Sequence, residues 1–308
     1  MSKVSVIMAA YNGEETIKES IDSILRQTHE ALELIVVDDG STDNTVSIVT
    51  SISDDRVLLL QCKNSGSPAA PRNAGIKKAT GDFITFCDQD DLWYPKKIEK
   101  QLKAYEHVKH LSDVGIVFSS ANLIDEAGKK VDENVTKFSG FLPADKAHNK
   151  MLGGDYIIAC SALVPKSTMD EVGLLDEALV GVDDYDLWLR ITENYGVFAI
   201  PEKLCAWRQS PNSLSMNKVT QYVRTEAVFA KLGDKTAEIR VGHGKNMLRI
   251  LLASLLAKDY ETAREYLEKI KNYPLSVKAK SIVGMTNISP VVGHLYVLFL
   301  RKLGKVSL

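Results

Sequence analysis

Short apolar runs alternate with segments of helical spacing in the first 90 residues, and this alternation limits the folds open to the chain. The apolar runs have the length of strands and are rich in Val, Ile, Leu and Phe. After the first run, Ile17, Ile21 and Ile24 recur at the spacing of one helix face. Such an order predicts a parallel sheet that helices cover on both faces. The runs are residues 4–10, 34–37, 57–60 and 83–86.

Polar and acidic residues stand at or just after the ends of three of these runs. Tyr11 follows the first run, Asp38 and Asp39 follow the second, and an Asp-Gln-Asp-Asp cluster at residues 88–91 follows the fourth. Open parallel sheets bind ligands beyond the carboxyl ends of their strands. The crowded carboxylates repel one another, and Asp oxygens suit Mg²⁺ or Mn²⁺. The cluster is therefore interpreted either as a metal site or as a solvated turn that caps the following helix.

The chain after this cluster continues the α/β pattern less regularly. Pro95 is expected in the first turn of a helix. Residues 125–150 have weak periodicity, which predicts a mobile excursion from the core. Asp183 and Asp184 begin a further helix, where the helix dipole alone would favour carboxylates. Strands are predicted at residues 114–118, within 151–164, at 197–200 and at 204–208.

From about Asn217 the pattern is helical only, which predicts one domain at residues 1–215 and a helical region at 216–308. The stretch 282–300 is mostly apolar and is followed by Arg301, Lys302 and Lys305. It is interpreted as a helix packed on the first domain or as an interfacial helix that meets anionic lipid.

Composition narrows the functional classes. The 308 residues carry a formal net charge of −2, which argues against a nucleic-acid partner. The four cysteines are far apart, as expected for reduced thiols. No signal peptide and no spanning apolar stretch is recognisable, so we expect a cytoplasmic protein, with association at the inner face of the membrane as a further expectation.

Five short segments of the sequence, taken together and in this order, are typical of one known protein family. They are residues 4–13 (VSVIMAAYNG), 35–43 (IVVDDGSTD), 72–76 (RNAGI), 88–91 (DQDD) and 183–190 (DDYDLWLR). Together they resemble the family 2 glycosyltransferases of the GT-A fold, although each one alone is weak. The resemblance extends from residue 4 to about 215. It implies a Rossmann-like, mostly parallel sheet flanked by helices, followed by an all-helical extension.

The resemblance also implies a site for a nucleotide-sugar donor. Ala9, Tyr11 and Asp39 would line the base pocket, and Glu14 would reach the same pocket. Arg72 would hold the nucleotide or its phosphates, because guanidinium matches oxyanions. The alternatives are a ring that packs in a turn for Tyr11 and a surface ion pair for Arg72.

The metal site would correspond to the family's Asp-x-Asp motif at Asp88 and Asp90. Asp90 would coordinate Mn²⁺ or Mg²⁺ directly, and Asp88 would serve the ribose or the metal shell. Asp91 is either a supporting residue or a helix cap. Ser210 stands where many relatives have a His that joins the metal site, and Arg208 before it could face the phosphates.

The resemblance makes Asp184 the general base, which takes the proton of the acceptor hydroxyl. Attack in one displacement would invert the anomeric carbon. Asp183 stands where the family often has Glu, and Asp186 is expected to support the helix.

We therefore expect an inverting glycosyltransferase that moves a sugar from a nucleotide-diphosphate donor, a UDP-sugar, to a glycan or lipid-linked glycan. Its setting would be bacterial-type surface polysaccharide synthesis, with peripheral membrane contact through the C-terminal helices. The alternative is a catalytically silent nucleotide-sugar-binding or scaffolding subunit, against which the presence of Asp90 and Asp184 argues. The GxGxxG, GxxxxGK[ST] and GxSxG motifs of other enzyme classes are absent from the turns that would carry them.

Overall fold

The chain is described by a computed structural model that covers residues 2–110, 113–134, 138–210, 217–303 and 305–306. These residues divide into two units. The first contains the residues up to Met151 and those from Asp155 to the end of the last strand, and the second contains Leu152–Gly154 and the C-terminal helices. The boundary predicted between residues 215 and 216 lies outside the described residues and stays a prediction.

The first unit has the predicted α/β architecture. Its strands are β1 (Val4–Ala10), β2 (Leu32–Asp38), β3 (Val57–Gln61), β4 (Phe83–Phe86), β5 (Leu92–Trp93), β6 (Val114–Ile124), β7 (Lys130–Asn134), β8 (Gly140–Leu142), β9 (Ala162–Pro165) and β10 (Gly196–Arg208). Its helices are α1 (Ile17–Leu25), α2 (Thr45–Thr50), α3 (Ala69–Lys78), α4 (Lys97–Val108), α5 (Ala144–Leu152, whose last residue belongs to the second unit), α6 (Lys166–Val172) and α7 (Asp183–Asn194). The sheet order is β3-β2-β1-β4-β9-β6-β10-β5, with β7 beside β6 and β8 beside β10.

Strand β1 is buried on both faces, which explains why its sequence is apolar without alternation. Val6 and Met8 belong to the same buried cluster as Ile21 of α1. Ile7 points to the other face, where a Cβ added at Gly75 of α3 would lie 2.7 Å from its Cγ2. Gly75 therefore lets α3 pack closely on the strand.

The second half of the sheet differs from the predicted details. β9 is antiparallel to both β4 and β6, so the sheet is mixed there. The expectation of a mobile excursion at residues 125–150 is wrong, because this segment contains β7, β8 and most of α5. β7 and β8 pair antiparallel with β6 and β10. Backbone hydrogen bonds of this kind need no apolar periodicity, so no pattern in the sequence indicates these strands.

The second unit is helical, as predicted. It contains α8 (Lys218–Leu232), α9 (Ala237–Ala257), α10 (Tyr260–Lys269), α11 (Val277–Ile288) and α12 (Pro290–Lys302). Its core gathers apolar side chains of α9, including Ile250, Leu251 and Leu255, with others from α10, α11 and α12. Among the helices that the structure describes, none combines the length and the apolar character needed to cross a membrane.

Candidate active site

The ends of β1, β2 and β4 meet at one edge of the sheet. β1 is parallel to β2 and to β4, and Ala10 lies opposite Asp38. Just beyond the strands, the Asp39 amide donates to the Ala10 carbonyl over 2.7 Å, and the Cys87 amide donates to the Ile7 carbonyl over 3.1 Å. The polar segments that follow these strands are therefore neighbours.

The side-chain amide of Gln89 joins the Tyr11 turn to the acidic cluster. The Tyr11 amide donates to Gln89 Oε1 over 2.8 Å, and Gln89 Nε2 donates to the Tyr11 carbonyl over 3.0 Å. Gly13 is required beside this contact, because a Cβ there would lie 2.3 Å from Gln89 Oε1. The Tyr11 side chain is 47% exposed, so its backbone is fixed while its ring stays accessible.

Asp39 is buried at the same edge. Its carboxylate accepts hydrogen bonds from the Ser65 amide and hydroxyl at 3.0 to 3.1 Å, and so holds the loop between β3 and α3. A carboxylate has about four lone-pair sites, which leaves acceptor capacity for a ligand N–H. Ala9 pairs in register with Val37 and is partly exposed.

Glu14 contacts the start of α2. Its Oε2 accepts from the Asn44 amide at 3.0 Å and from Asn44 Nδ2 at 2.7 Å. In return, the Glu14 amide donates to Asp43 Oδ2 over 3.1 Å. These contacts join two loops of the site edge, and the expected role of Glu14 in the base pocket stays a prediction.

A buried guanidinium joins two of the conspicuous acidic segments. Arg72 NH2 lies 2.5 Å from Asp88 Oδ1, and Arg72 NH1 lies 3.0 Å from Asp183 Oδ2. Burial alone would lower the pKa of Arg72, but the charges of Asp88 and Asp183 outweigh it and raise that pKa. Arg72 Nε is buried without a hydrogen-bond partner among the described residues. Arg72 of α3 thus connects the end of β4 with the start of α7.

The carboxylates of residues 88–91 are crowded as expected. Burial and the charge of Asp88 raise the pKa of Asp90 to about 6. Burial and the charges of Asp88 and Asp90 also raise the pKa of Asp91. A bound cation would relieve this repulsion.

The donor set also fits a cation shared with a ligand. No group of three or more His, Cys, Asp or Glu side chains within the described ranges could by itself hold a metal ion. Asp88 and Asp90 together offer two carboxylates, and Mg²⁺ commonly binds through one or two carboxylates together with phosphate oxygens and water. The two residues therefore fit a cation that substrate phosphates complete.

Arg208 anchors the acidic cluster from the end of β10. Its amide donates to Asp91 Oδ1 over 3.0 Å, and its Nε donates to the Asp90 carbonyl over 2.8 Å. Its NH2 contacts Glu19 Oε2 at 2.8 Å, and NH1 donates to the Glu126 carbonyl over 2.8 Å. Each guanidinium nitrogen thus donates to a protein acceptor, and the side chain fixes the turn that presents Asp90.

Asp184 lies in the first turn of α7, directly after the residue that pairs with Arg72. Its Oδ1 accepts from the Tyr185 amide over 2.8 Å. Burial, then the charges of Asp155 and Asp183, raise the pKa of Asp184 well above its usual range, while Arg72 acts in the opposite direction. Asp186 instead forms an ion pair with Arg190 one turn later, at 2.8 Å.

The sequence therefore predicted most of the acidic residues at this edge, but not most of the interactions that hold them in place. The predicted residues Ala9, Tyr11, Asp39, Arg72 and Asp88 all lie on the segments that meet here, and Asp184 joins them through Asp183. Gln89, Ser65, Asp155 and the pairing of Asp183 with Arg72 were not foreseen. No local pattern marks them, because each acts on a residue distant in the chain.

Comparison with known proteins identifies the family. The model described as Glycosyl transferase family 2 matches residues 5–163. The chain belongs to this family. An Escherichia coli relative, the UDP-Glc:α-D-GlcNAc-diphosphoundecaprenol β-1,3-glucosyltransferase WfgD, is 32% identical over 223 residues, which are 72% of this chain and 83% of WfgD. An uncharacterized glycosyltransferase of Rickettsia felis is 35% identical over 192 residues, 61% of this chain, but the match spans only 31% of that relative.

Solved structures of the family's fold confirm the GT-A architecture. TarS of S. aureus in complex with UDP-GlcNAc superposes with a TM-score of 0.71 at 17% identity, covering 99% of this chain and 93% of that chain. The mannosyltransferase PcManGT of Pyrobaculum calidifontis, in complex with GDP-Man and Mn²⁺, has a TM-score of 0.61 at 20% identity and covers 96% and 85%. At these identities the likeness concerns the fold alone.

Proposed function

We propose that the chain is an inverting, metal-dependent glycosyltransferase that moves a sugar from a UDP-sugar to a hydroxyl of a lipid-linked glycan. The observation that carries the proposal is the buried Arg72, which pairs with both Asp88 and Asp183. It brings Asp88, which we assign to the metal site, and Asp183, the neighbour of the proposed base Asp184, to one edge of the sheet. A donor bound at this edge would lie close to both groups.

The nucleoside of the donor would bind beside Tyr11. Its exposed ring offers a stacking surface for a base, and Asp39 retains acceptor capacity for a base N–H. Ala9 at the strand end offers no bulk that would obstruct a base. Glu14 would contribute from the rim of this pocket.

Asp90 and Asp88 would hold Mn²⁺ or Mg²⁺ together with the diphosphate. When bound, the cation would supply charge stabilisation to the departing nucleoside diphosphate. Arg208 would keep the Asp90 turn in place, through its contacts with the Asp90 carbonyl and the Asp91 carboxylate. Ser210 would leave the metal without the His ligand of many relatives.

Asp184 would act as the general base. Its raised pKa makes the carboxylate more basic than an ordinary Asp, which suits it to accept a hydroxyl proton in the transition state. The acceptor oxygen would then attack the anomeric carbon in one displacement, with inversion of configuration. Asp183, held by Arg72, would position the first turn of α7.

The acceptor class is proposed from the relatives. WfgD is named for transfer to a GlcNAc carried on diphosphoundecaprenol, a lipid-linked acceptor. An acceptor of this kind would place the chain at the cytoplasmic face of a membrane, in surface polysaccharide synthesis.

A thermal-shift panel on the full chain tests donor and metal together. UDP-glucose and UDP-GlcNAc with Mn²⁺ should raise Tm by mass action, more than the same nucleotides with a chelator and more than GDP-mannose. Asp90→Asn should lose the part of the shift that depends on Mn²⁺. An absence of any shift with sugar nucleotides, or shifts of equal size with and without the metal, would contradict the proposal. A silent binding subunit would show the shift but would release no UDP.

A further inference from the structure

Helix α12 exposes an apolar face that the core of its own unit does not use. Leu295 is 60% exposed and Phe299 is 56% exposed. Their spacing places these side chains on one side of the helix. The exposed apolar side chains, called the α12 face below, are Val291, Leu295, Leu298, Phe299 and, just past the helix end, Leu303.

The orientation of α12 is fixed by its opposite side. His294 Nδ1 donates to the Leu255 carbonyl of α9 over 2.6 Å, and Val297 is fully buried in the core of the unit. A Cβ added at Gly293 would lie 2.4 Å from Thr286 Oγ1, so α11 and α12 touch closely. The helix therefore cannot turn the α12 face inward without losing these contacts.

The C-terminal part of the sequence carries an excess of positive charge. Residues 271–308 contain six Lys or Arg residues and no Asp or Glu, although the whole chain has a formal net charge of −2. Arg301 and Lys302 are exposed in the last turn of α12. The other cations are Lys278, Lys280, Lys305 and Lys271, of which Lys271 pairs with Glu268.

We infer that the α12 face binds the surface of an anionic lipid bilayer. Apolar side chains on one side of a helix enter the boundary between headgroups and acyl chains, and nearby cations are attracted to anionic headgroups. A second copy of the chain fits less well, because a two-fold contact would place the same cation-rich segment against itself. The inference rests on the proposed function, because a lipid-linked acceptor would lie in the surface of such a bilayer.

Vesicle co-sedimentation of the full chain, without donor or acceptor, tests the inference apart from the proposed activity. The full chain should pellet with vesicles of phosphatidylcholine mixed with phosphatidylglycerol, and much less with phosphatidylcholine alone. High salt should release part of it, because salt screens the headgroup attraction. Arg301→Gln with Lys302→Gln should weaken binding by roughly 25-fold, from about fivefold per cation.

A matched pair of variants separates the α12 face from charge in general. Leu295→Glu with Phe299→Glu should abolish pelleting. Val223→Glu with Val241→Glu adds the same charge at exposed positions of α8 and α9, and should pellet far more than the α12 variant. Circular dichroism and Tm would confirm that both variants are folded.

Three results would overturn the inference. The unaltered chain could stay in the supernatant with anionic vesicles at low salt, or both double-Glu variants could bind equally. Light scattering could also find a lipid-free dimer that Leu295→Glu with Phe299→Glu converts to a monomer, which would assign the α12 face to a second copy. A failure of vesicle binding would leave nucleotide-dependent thermal shifts unaffected, so the two proposals fail independently.

Discussion

Arg72 and Asp183, which lie 111 positions apart in the sequence, form a buried ion pair with 3.0 Å between NH1 and Oδ2. The Asp183 side chain is 1% exposed and that of Arg72 is 8% exposed. The pair links α3 to the first turn of α7, directly beside Asp184. The same guanidinium contacts Asp88, so three parts of the site depend on one side chain.

Arg72→Met should destabilise the fold, because it leaves Asp183 buried without its partner. Breaking a buried pair from one side typically costs about 3–5 kcal/mol. The measurement is urea unfolding followed by circular dichroism. Lys18→Met, which removes an exposed ion pair with Asp22, should cost below about 1 kcal/mol.

A double variant checks that the cost comes from the unpaired charge. Arg72→Met combined with Asp183→Asn should be less destabilised than the sum of the two single variants, because the buried carboxylate is then neutral. Additive costs would mean that the two residues do not act as a pair.

The pH profile of turnover should reflect the raised pKa of Asp184. A general base must be unprotonated, so kcat should rise with pH as Asp184 loses its proton. Asp155→Asn removes a charge that raises the pKa of Asp184, and should move this acidic limb to lower pH. Asp145→Asn, which alters an exposed carboxylate on α5, is the control and should leave the limb in place. An unmoved limb in Asp155→Asn would remove Asp155 from the account.

His243 should make the helical unit less stable at alkaline pH. Its ring nitrogens lie 3.1 Å from Asp234 Oδ1 and 3.2 Å from Glu226 Oε2. Burial alone would lower the pKa of His243, but hydrogen bonds to these two carboxylates raise it. A raised folded-state pKa gives stability that is complete below the unfolded His pKa of about 6.5 and is lost as pH rises through the folded value.

Hydrogen exchange of the α8 and α9 amides measures this effect. The opening free energy should fall from the acidic to the alkaline side of the His243 titration, because the neutral ring no longer makes charge-assisted hydrogen bonds to the two carboxylates. His243→Phe can retain the stacking on Phe229, whose ring centroid lies 4.8 Å away, and should lose the pH dependence. An equal pH dependence in that variant would assign it to another group.

The sequence predicted the parts of the fold that follow from local pattern. Apolar runs followed by Tyr11, Asp39 and Asp88 indicated strand ends at one sheet edge, and β1, β2 and β4 do end there. Helix α1 was predicted from the spacing of Ile17, Ile21 and Ile24, which are fully buried. These elements can be predicted because burial of one face repeats apolar residues at a regular spacing along the sequence.

The polar contacts that join distant parts of the site could not be predicted in this way. Gln89 acts on the Tyr11 backbone 78 positions away, and Arg208 on Asp90 118 positions away. A single polar residue that reaches across the fold leaves no periodic trace. The short antiparallel strands β7 and β8 were missed for a related reason, since backbone pairing at a sheet edge makes few demands on the side chains.

The most direct test of the central claim is to measure the rate at which the Asp184→Asn variant transfers sugar to the lipid-linked acceptor. The variant should lower kcat roughly a hundredfold to ten-thousandfold, the usual contribution of a positioned base. Its thermal shift with UDP-sugar and Mn²⁺ should stay unchanged, and Asp186→Asn on the same helix turn should keep most of its turnover. Turnover near that of the unaltered chain in Asp184→Asn would contradict the account.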